Sequence, residues 1–491
     1  MLWLLLGVLF LLSRTWSLTT IPMFNDESSY LRWGWEILHG IKPWWYSIVV
    51  NGKPPLTMIV YGIAQWFPVD PVIAGRLMAV CFSALTVCIS LKTYAMLFPK
   101  RSFLLYGLLL VFNPLLLFFD RLALSEAMVT AVGSLLLYAG IRYVQTKQVR
   151  WIICIAVCCG IGWWVKTTVF AFIPVLCLMG VWLGVKKRIN WDRLMLIVIL
   201  VLLAVVLIIF PSGFHPQIVS FDTGEAKWMF SLPELLRFPV SVWGNNMANI
   251  ITWLLVFPTP VYLCCWLIGA VQRRKQTGNR GAFLLYSLWV AMPILLFLVL
   301  GKNLTGRYVT IIMPQLSALA AYGVYGIYEK RKKAGTALAS VAVFIVVGVS
   351  TVLITAPQTY FQLISVFPRA YWDMAQYMTG WPSGYGVREA ITFVQQEART
   401  APLILFVRND TGNPEDAVFV YCRSNPRILI IPVITKEDVG KAVLSAPNKM
   451  PLYFLSRGPA VLGMNGELTE LIRFPKPTGV EYVGVYRVER K

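Results

Sequence analysis

Apolar residues in this chain gather in long runs, and polar residues fill the short gaps between them. Runs of bilayer-spanning length, about 17–25 residues each, occur at 2–21, 71–97, 102–119, 125–144, 151–165, 167–185, 194–211, 250–271, 283–300, 308–328 and 335–355. The fifth run is short and is separated from the sixth only by Lys166. The hydropathy rule turns the pattern into about eleven transmembrane helices. At Pro357 the long runs stop. Beyond it, 386–400 reads as a helix, 402–407 (PLILFV), 427–434 (RILIIPVI) and 451–455 (PLYFL) read as buried strands, and 436–444 reads as a helix. Strands alternating with helices predict a small α/β domain. The expected division is therefore a membrane part, 1–356, with 22–70 as its first large loop, and a soluble α/β part, 357–491.

The first loop has its own pattern. NDESSYLRWGWEIL opens with adjacent carboxylates, Asp26 and Glu27, and continues with Tyr30, Leu31, Trp33, Trp35, Ile37 and Leu38. This spacing predicts an amphipathic helix over 28–39 lying in the interface plane. The acids fit a first-turn role, with Asn25 as the cap and the carboxylates favoured at the positive end of the helix dipole. They also fit a general base or charge stabiliser on a rigid element. Lys53 is followed by two prolines, so the chain after it is extended, and a lysine held that way can meet a phosphate as a point charge.

Composition agrees with the run pattern. The chain is 57% hydrophobic with mean hydropathy +0.66, which excludes an ordinary soluble protein of 491 residues. The formal charge of +21 would suggest nucleic acid in a soluble protein, but here the bases collect in short loops. Lys100-Arg101, Lys147/Arg150, Lys186-Lys187-Arg188, Arg273-Arg274-Lys275 and Lys330-Arg331-Lys332-Lys333 all fall on one side when the runs are counted. The positive-inside rule makes that side cytoplasmic, with the N-terminus inside and 357–491 outside. Residues 1–21 lack a basic n-region and read as a first membrane helix, not a cleaved signal. Eight of the nine cysteines lie in apolar runs, and only Cys422 does not, so neither an external disulfide nor a zinc pattern is predicted. His39 and His215 are too far apart in sequence to suggest a metal pair.

With this topology Asp26, Glu27, Lys53, Asp120, Arg121, Glu126, Lys166, Lys302 and Arg307 all fall at the outer ends of helices or in outer loops. Charges at membrane depth are costly and usually face a cavity or a partner. Taken singly each reads as a solvated loop charge, whereas together they suggest a shared cavity. Lys302 and Arg307 bracket a loop, GKNLTGRY, against positive-inside expectation, and an anionic lipid head group would account for them.

The order NDESSY, GKPPL, DRLALSE, GWWVKTT and GRYVTIIMP, over roughly residues 1–330, resembles the GT-C glycosyltransferases, within them the protein O-mannosyltransferase and aminoarabinose lipid A transferase branch. The resemblance implies a polytopic membrane enzyme that moves a monosaccharide, with inversion, from a polyprenyl-phosphate carrier to an acceptor on the extracytoplasmic face; a bacterial inner membrane is expected, because no ER retention signal is visible and the chain is compact. It implies catalytic carboxylates at Asp26, with Glu27 beside it, and at Glu126. Lys53 and Arg307 become the carrier-phosphate residues, and Lys302 is expected to join them from its place in the same loop as Arg307. Aminoarabinose transferases carry an acid just before Lys-Pro that helps hold a metal, and here that position is Gly52. A divalent metal is thus left open as cofactor, with no ligand residue assigned. The implied partners are the lipid-linked sugar donor and membrane lipids; the acceptor is undefined and nucleic acid is not expected. A transporter of lipid-linked sugar or polysaccharide is the alternative, and it would place ionisable or broken segments at mid-membrane. A non-catalytic assembly or sensor protein would leave Asp26 and Lys53 replaceable.

Overall fold

The computed structural model describes residues 1–98, 102–186, 195, 198–199, 201–206, 228–272, 280–408, 412–447, 450–457, 468–477 and 479–490. Half of the expected span 194–211, the loop bases at 100–101, 187–188 and 273–275, and His215 lie outside the described residues. The chain forms two compact units, and segments of the first loop group with the C-terminal part. One unit comprises Met1–Trp16, Lys42–Thr57 and Leu77–Ile354; the other comprises Ser17–Ile41, Met58–Arg76 and Thr355–Lys491.

The first unit is helical. Among the described residues six helices are long and apolar enough to cross a membrane: Pro71–Leu97, Ser125–Thr146, Thr167–Val185, Arg280–Leu300, Gly306–Lys330 and Lys332–Thr355. The number rises to eight if each of two bent pairs is one span, and Leu2–Thr15 and Val149–Val165 are shorter apolar helices. Two expected straight runs are broken. The run 102–119 divides into Phe103–Val111 and Pro114–Asp120, bent by 52°. Asn113 caps the second piece by accepting the Leu116 N–H at 3.1 Å, and Pro114 suits a first helical position because it needs no N–H partner. The run 250–271 belongs to Val240–Val256 and Pro260–Gln272, bent by 100°, where Pro258 and Pro260 remove two donors from the helical ladder. Lys166 is a true break: its backbone is extended between the Val149–Val165 helix and a 3₁₀ turn, Thr167–Phe172. Gly306–Lys330 is the buried centre, with 94% of its apolar window covered, while Lys332–Thr355 is only 22% covered. Trp289, fully buried, stacks on Phe172 at 5.1 Å.

The second unit combines first-loop helices with the C-terminal sheet. The first-loop helix runs Asn25–Leu38, three residues earlier than the spacing predicts, and the cap is Phe24, not Asn25. The Glu27 carboxylate accepts the Phe24 N–H at 2.9 Å, which fixes the start. A second helix, Leu56–Ala64, crosses it where Gly34 meets Met58 and Gly62. A Cβ at Gly34 would lie 2.0 Å from the Met58 carbonyl oxygen, so only glycine permits this approach.

The sheet has five strands: β1 Leu403–Arg408, β2 Ile428–Val433, β3 Leu452–Arg457, β4 Leu468–Pro475 and β5 Tyr482–Val488, in the order β2-β1-β3-β5-β4. β1 pairs in parallel with β2 and β3, and β5 pairs antiparallel with β3 and β4. The parallel strands β1 and β3 are the buried apolar runs of the sequence, as parallel strands covered on both faces must be. The last two strands are an added antiparallel pair. Helices Val387–Thr400, Glu415–Cys422 and Lys436–Ser445 complete the α/β arrangement.

Candidate active site

The first unit holds an acid and two bases on three elements. Glu126 stands in the first turn of Ser125–Thr146 and is almost fully buried. The Lys166 ammonium donates to its Oε1 at 2.6 Å. The Arg307 Nε lies 3.7 Å from the same oxygen. Lys166 owes its place to the helix break just described, and Arg307 to the 3₁₀ turn Gly306–Ile312 that opens the central span. The Lys166 ammonium also sits over the Tyr308 ring, 5.0 Å from its centre. Val129, Thr168, Tyr308 and Ile311 close a small hollow around the three charges. Two cations converging on one buried carboxylate form a charged, largely enclosed site of the kind that can meet an anion.

Lys53 is tied to the same region. The Thr57 hydroxyl donates to the Val165 carbonyl at 3.1 Å, and Trp44 packs edge-on against Trp164 at 5.6 Å. The segment bearing Lys53 is thereby anchored to the end of the helix that stops at Lys166. Local geometry holds it in shape: the Ser47 hydroxyl donates to the Lys53 carbonyl at 2.8 Å and the Lys53 N–H donates to the Ser47 carbonyl at 3.2 Å. Gly52 caps the Tyr46–Asn51 helix with φ +63°, a left-handed backbone that glycine adopts without strain. Glycine at position 52 offers no side chain to a metal. Among the described residues no group of three or more His, Cys, Asp or Glu side chains is arranged to hold a metal ion.

Three other charges expected at the outer face take different partners. Lys302 donates to Glu234 at 2.7 Å, and this bond together with those from Ser231 holds the Glu234 carboxyl at about 2. Asp120 accepts from both Arg14 Nε, at 3.2 Å, and Arg14 Nη2, at 3.0 Å, in a buried pair. Arg121 donates to the Ser13 carbonyl at 2.9 Å. Asp120 and Arg121 therefore fasten the end of the first helix.

Asp26 and Glu27 belong to the second unit, and their settings differ. Glu27 is fully buried. It receives Arg76 Nε at 2.9 Å and Arg76 Nη2 at 2.7 Å in a two-pronged pair, besides the Phe24 N–H. Arg76 also donates to the carbonyls of Leu18, Ile21 (2.7 Å) and Pro22 (3.3 Å). Asp26, one position earlier in the same first turn, keeps part of its surface open. Sequence reasoning missed Arg76. The available signal was a lone arginine inside an apolar run, which needs a partner.

A further buried network joins this helix to Glu415–Cys422. Arg32 donates to Glu36 at 2.9 Å, to Asp416 at 2.7 Å and to Glu415, and its guanidinium lies over the Phe419 ring at 3.7 Å. The Ser29 hydroxyl donates to the other Asp416 oxygen. Burial pushes the Glu415 carboxyl up to about 7 against the pull of Arg32, and it raises Asp416 as well. Burial alone would lower the Arg32 guanidinium, but its three carboxylates outweigh this and raise it.

Known proteins resemble this chain in part of its sequence and in its fold. Residues 38–218 fit the family model described as dolichyl-phosphate-mannose-protein mannosyltransferase. The whole chain is similar in structure to ArnT from Cupriavidus metallidurans. Against the apo form the TM-score is 0.60 at 15% identity, covering 98% of this chain and 97% of that one. Against the form bound to undecaprenyl phosphate it is 0.58 at 14% identity, with the same coverage. No curated protein sequence matches. The chain is a multi-pass membrane protein with the GT-C fold seen in ArnT and a C-terminal sheet domain, and its residues 38–218 carry the mannosyltransferase sequence pattern.

Proposed function

We propose that the protein is an integral-membrane glycosyltransferase that moves a monosaccharide from a polyprenyl-phosphate carrier to an acceptor, with inversion at the anomeric carbon. The observation that carries this reading is the Glu126–Lys166–Arg307 cluster with the Lys53 segment anchored beside it. Such a site has the charge to receive a lipid phosphate. The mannosyltransferase match over 38–218 and the likeness to an ArnT that binds undecaprenyl phosphate support it.

In this reading Lys53 and Arg307 take up the negative charge that develops on the leaving phosphate, as preorganised donors in a site of low hydration. Glu126 keeps Lys166 and Arg307 in place and limits their mutual repulsion. Asp26 accepts the proton of a hydroxyl acceptor, or orients an acceptor that is already anionic. Glu27, locked by Arg76, positions the turn that carries Asp26. Lys302, paired with Glu234, contributes positive charge to the outer face. The reaction takes place on the extracytoplasmic side of the inner membrane, where the C-terminal α/β part also lies and helps select the acceptor.

The test is transfer from labelled polyprenyl-phosphate monosaccharides by purified protein in lipid. Arg307→Ala should slow turnover by roughly 10²–10³-fold, the scale of losing one donor to a developing oxyanion, with the donor still bound. Unchanged turnover in this variant would remove Arg307 from the phosphate site. Movement of intact lipid-linked sugar across the bilayer without bond cleavage would establish the transporter instead.

A further inference from the structure

The first unit carries a second feature suited to a lipid, at the other end of its central span. Three helices, Phe103–Val111, Met313–Lys330 and Lys332–Thr355, leave an open groove of about 900 Å³ between them. This volume lies in the upper part of the range for small-molecule sites, roughly 300–1,000 Å³. Its walls are apolar, formed by Leu104, Leu108, Val343, Phe344 and Gly348 among others, with Tyr325 and Tyr328 toward one end. Phe344 is 79% exposed in the middle of an apolar helix, so hydrocarbon, not protein, is its natural neighbour.

One end of the groove is strongly basic. Tyr328 and Gly335 both line it, and they close together across the turn: a Cβ on Gly335 would fall 2.2 Å from the Tyr328 Cα. The residues between them include Lys330, Arg331, Lys332 and Lys333, all exposed, against one acid, Glu329. Four exposed cations thus lie in the turn that joins two residues lining this end of the groove. Basic groups in this position attract anionic lipid head groups.

We propose that this groove seats an anionic glycerophospholipid, with an acyl chain along Leu108, Val343 and Gly348 and the phosphate against the 330–333 turn. The occupant is not the sugar carrier at work in the proposed reaction. Arg307 lies before the start of the Met313–Lys330 helix and the four bases lie at its end. That helix has 18 residues, or about 27 Å at 1.5 Å per residue. A phosphate on the basic turn is out of reach of Arg307.

The experiment is a native mass-spectrometric titration of the full-length protein, purified and delipidated in detergent. The probes are dioleoyl phosphatidylglycerol, dioleoyl phosphatidylcholine and undecaprenyl phosphate. Gly348→Leu narrows the groove without an internal clash, since nothing lies within 4 Å of a Cβ built there. Lys332→Gln/Lys333→Gln removes half of the basic turn at exposed positions. Wild type should bind phosphatidylglycerol at least tenfold more tightly than phosphatidylcholine. The double variant should lose on the order of tenfold or more of that preference, and Gly348→Leu should lose the bound lipid while melting at the wild-type temperature. Equal binding of the two phospholipids, or phosphatidylglycerol binding untouched by both variants, overturns the proposal. Undecaprenyl phosphate binding that Gly348→Leu abolishes also overturns it, by making the groove a carrier site. If Gly348→Leu fails to fold, the double variant and the head-group preference still decide the matter.

Discussion

Asp26 and Glu27 are neighbours in sequence with opposite surroundings. Glu27 is sealed by Arg76 and the Phe24 N–H, whereas Asp26 keeps open surface. The sequence shows two equivalent acids at a helix start; the difference comes from an arginine about fifty positions away, which no local pattern reveals. Removing one partner of a buried ion pair strands the other, so Arg76→Leu should cost about 3–5 kcal/mol of stability. Thermal unfolding of the purified protein should show it, and Glu27→Leu/Arg76→Leu should recover part of the loss. A single variant as stable as wild type would contradict this assignment. Glu415 gives a second residue-scale prediction. Its folded value of about 7 lies above the ordinary 4.5, so between these values the folded state binds more protons than the unfolded one. Its contribution to stability therefore falls as pH rises through that window. Asp416 is raised too and acts in the same direction. Wild type should lose stability from pH 5 to pH 8, and Glu415→Gln should lose less. A variant with the same or a steeper fall would refute it.

At the scale of elements, the membrane helices were legible because a run of twenty apolar residues has few other fates in a large chain. The break at Lys166 was legible for the same reason in reverse: a charge in an apolar run marks an end. The 52° and 100° bends were not, although Pro114, Pro258 and Pro260 stand at them, because hydropathy is blind to backbone donors. In the C-terminal part, the parallel strands appeared as apolar runs, and their boundaries held to within one or two residues. β4 and β5 escaped because one face of β4 is solvated and β5 includes Gly484 and Arg487, so neither forms an unbroken apolar run. The first-loop helix was found but started late, since its start is set by the Glu27 carboxylate on the Phe24 N–H, a bond visible only once the turn is formed.

At the scale of the molecule, composition and run order pointed to the fold, and the motif order pointed to the proteins that it resembles. The grouping of segments into units was not legible. The first-loop helix belongs with the sheet part through Arg32, Glu415 and Asp416 and through Asn25, which accepts the Asn413 N–H at 2.7 Å. Long-range contacts of this kind leave no trace in hydropathy. Truncation after residue 356 should therefore do more than remove an accessory domain. It should strip the Asn25–Leu38 helix of its partners and give a chain that aggregates on size-exclusion chromatography. A truncated chain that elutes as a single species with full activity would contradict the account.

Single-turnover transfer from a labelled polyprenyl-phosphate monosaccharide, comparing wild type with Asp26→Asn in the same lipid, tests the glycosyltransferase reading at the step of bond cleavage. The account predicts cleavage of the sugar–phosphate bond by wild type. In Asp26→Asn it predicts donor binding retained and transfer to a hydroxyl acceptor slowed by about 10²–10⁴-fold, the range of general-base contributions. Equal transfer by both proteins would remove Asp26 from the chemistry, and no cleavage of any donor by wild type, acceptors included, would contradict the glycosyltransferase reading itself.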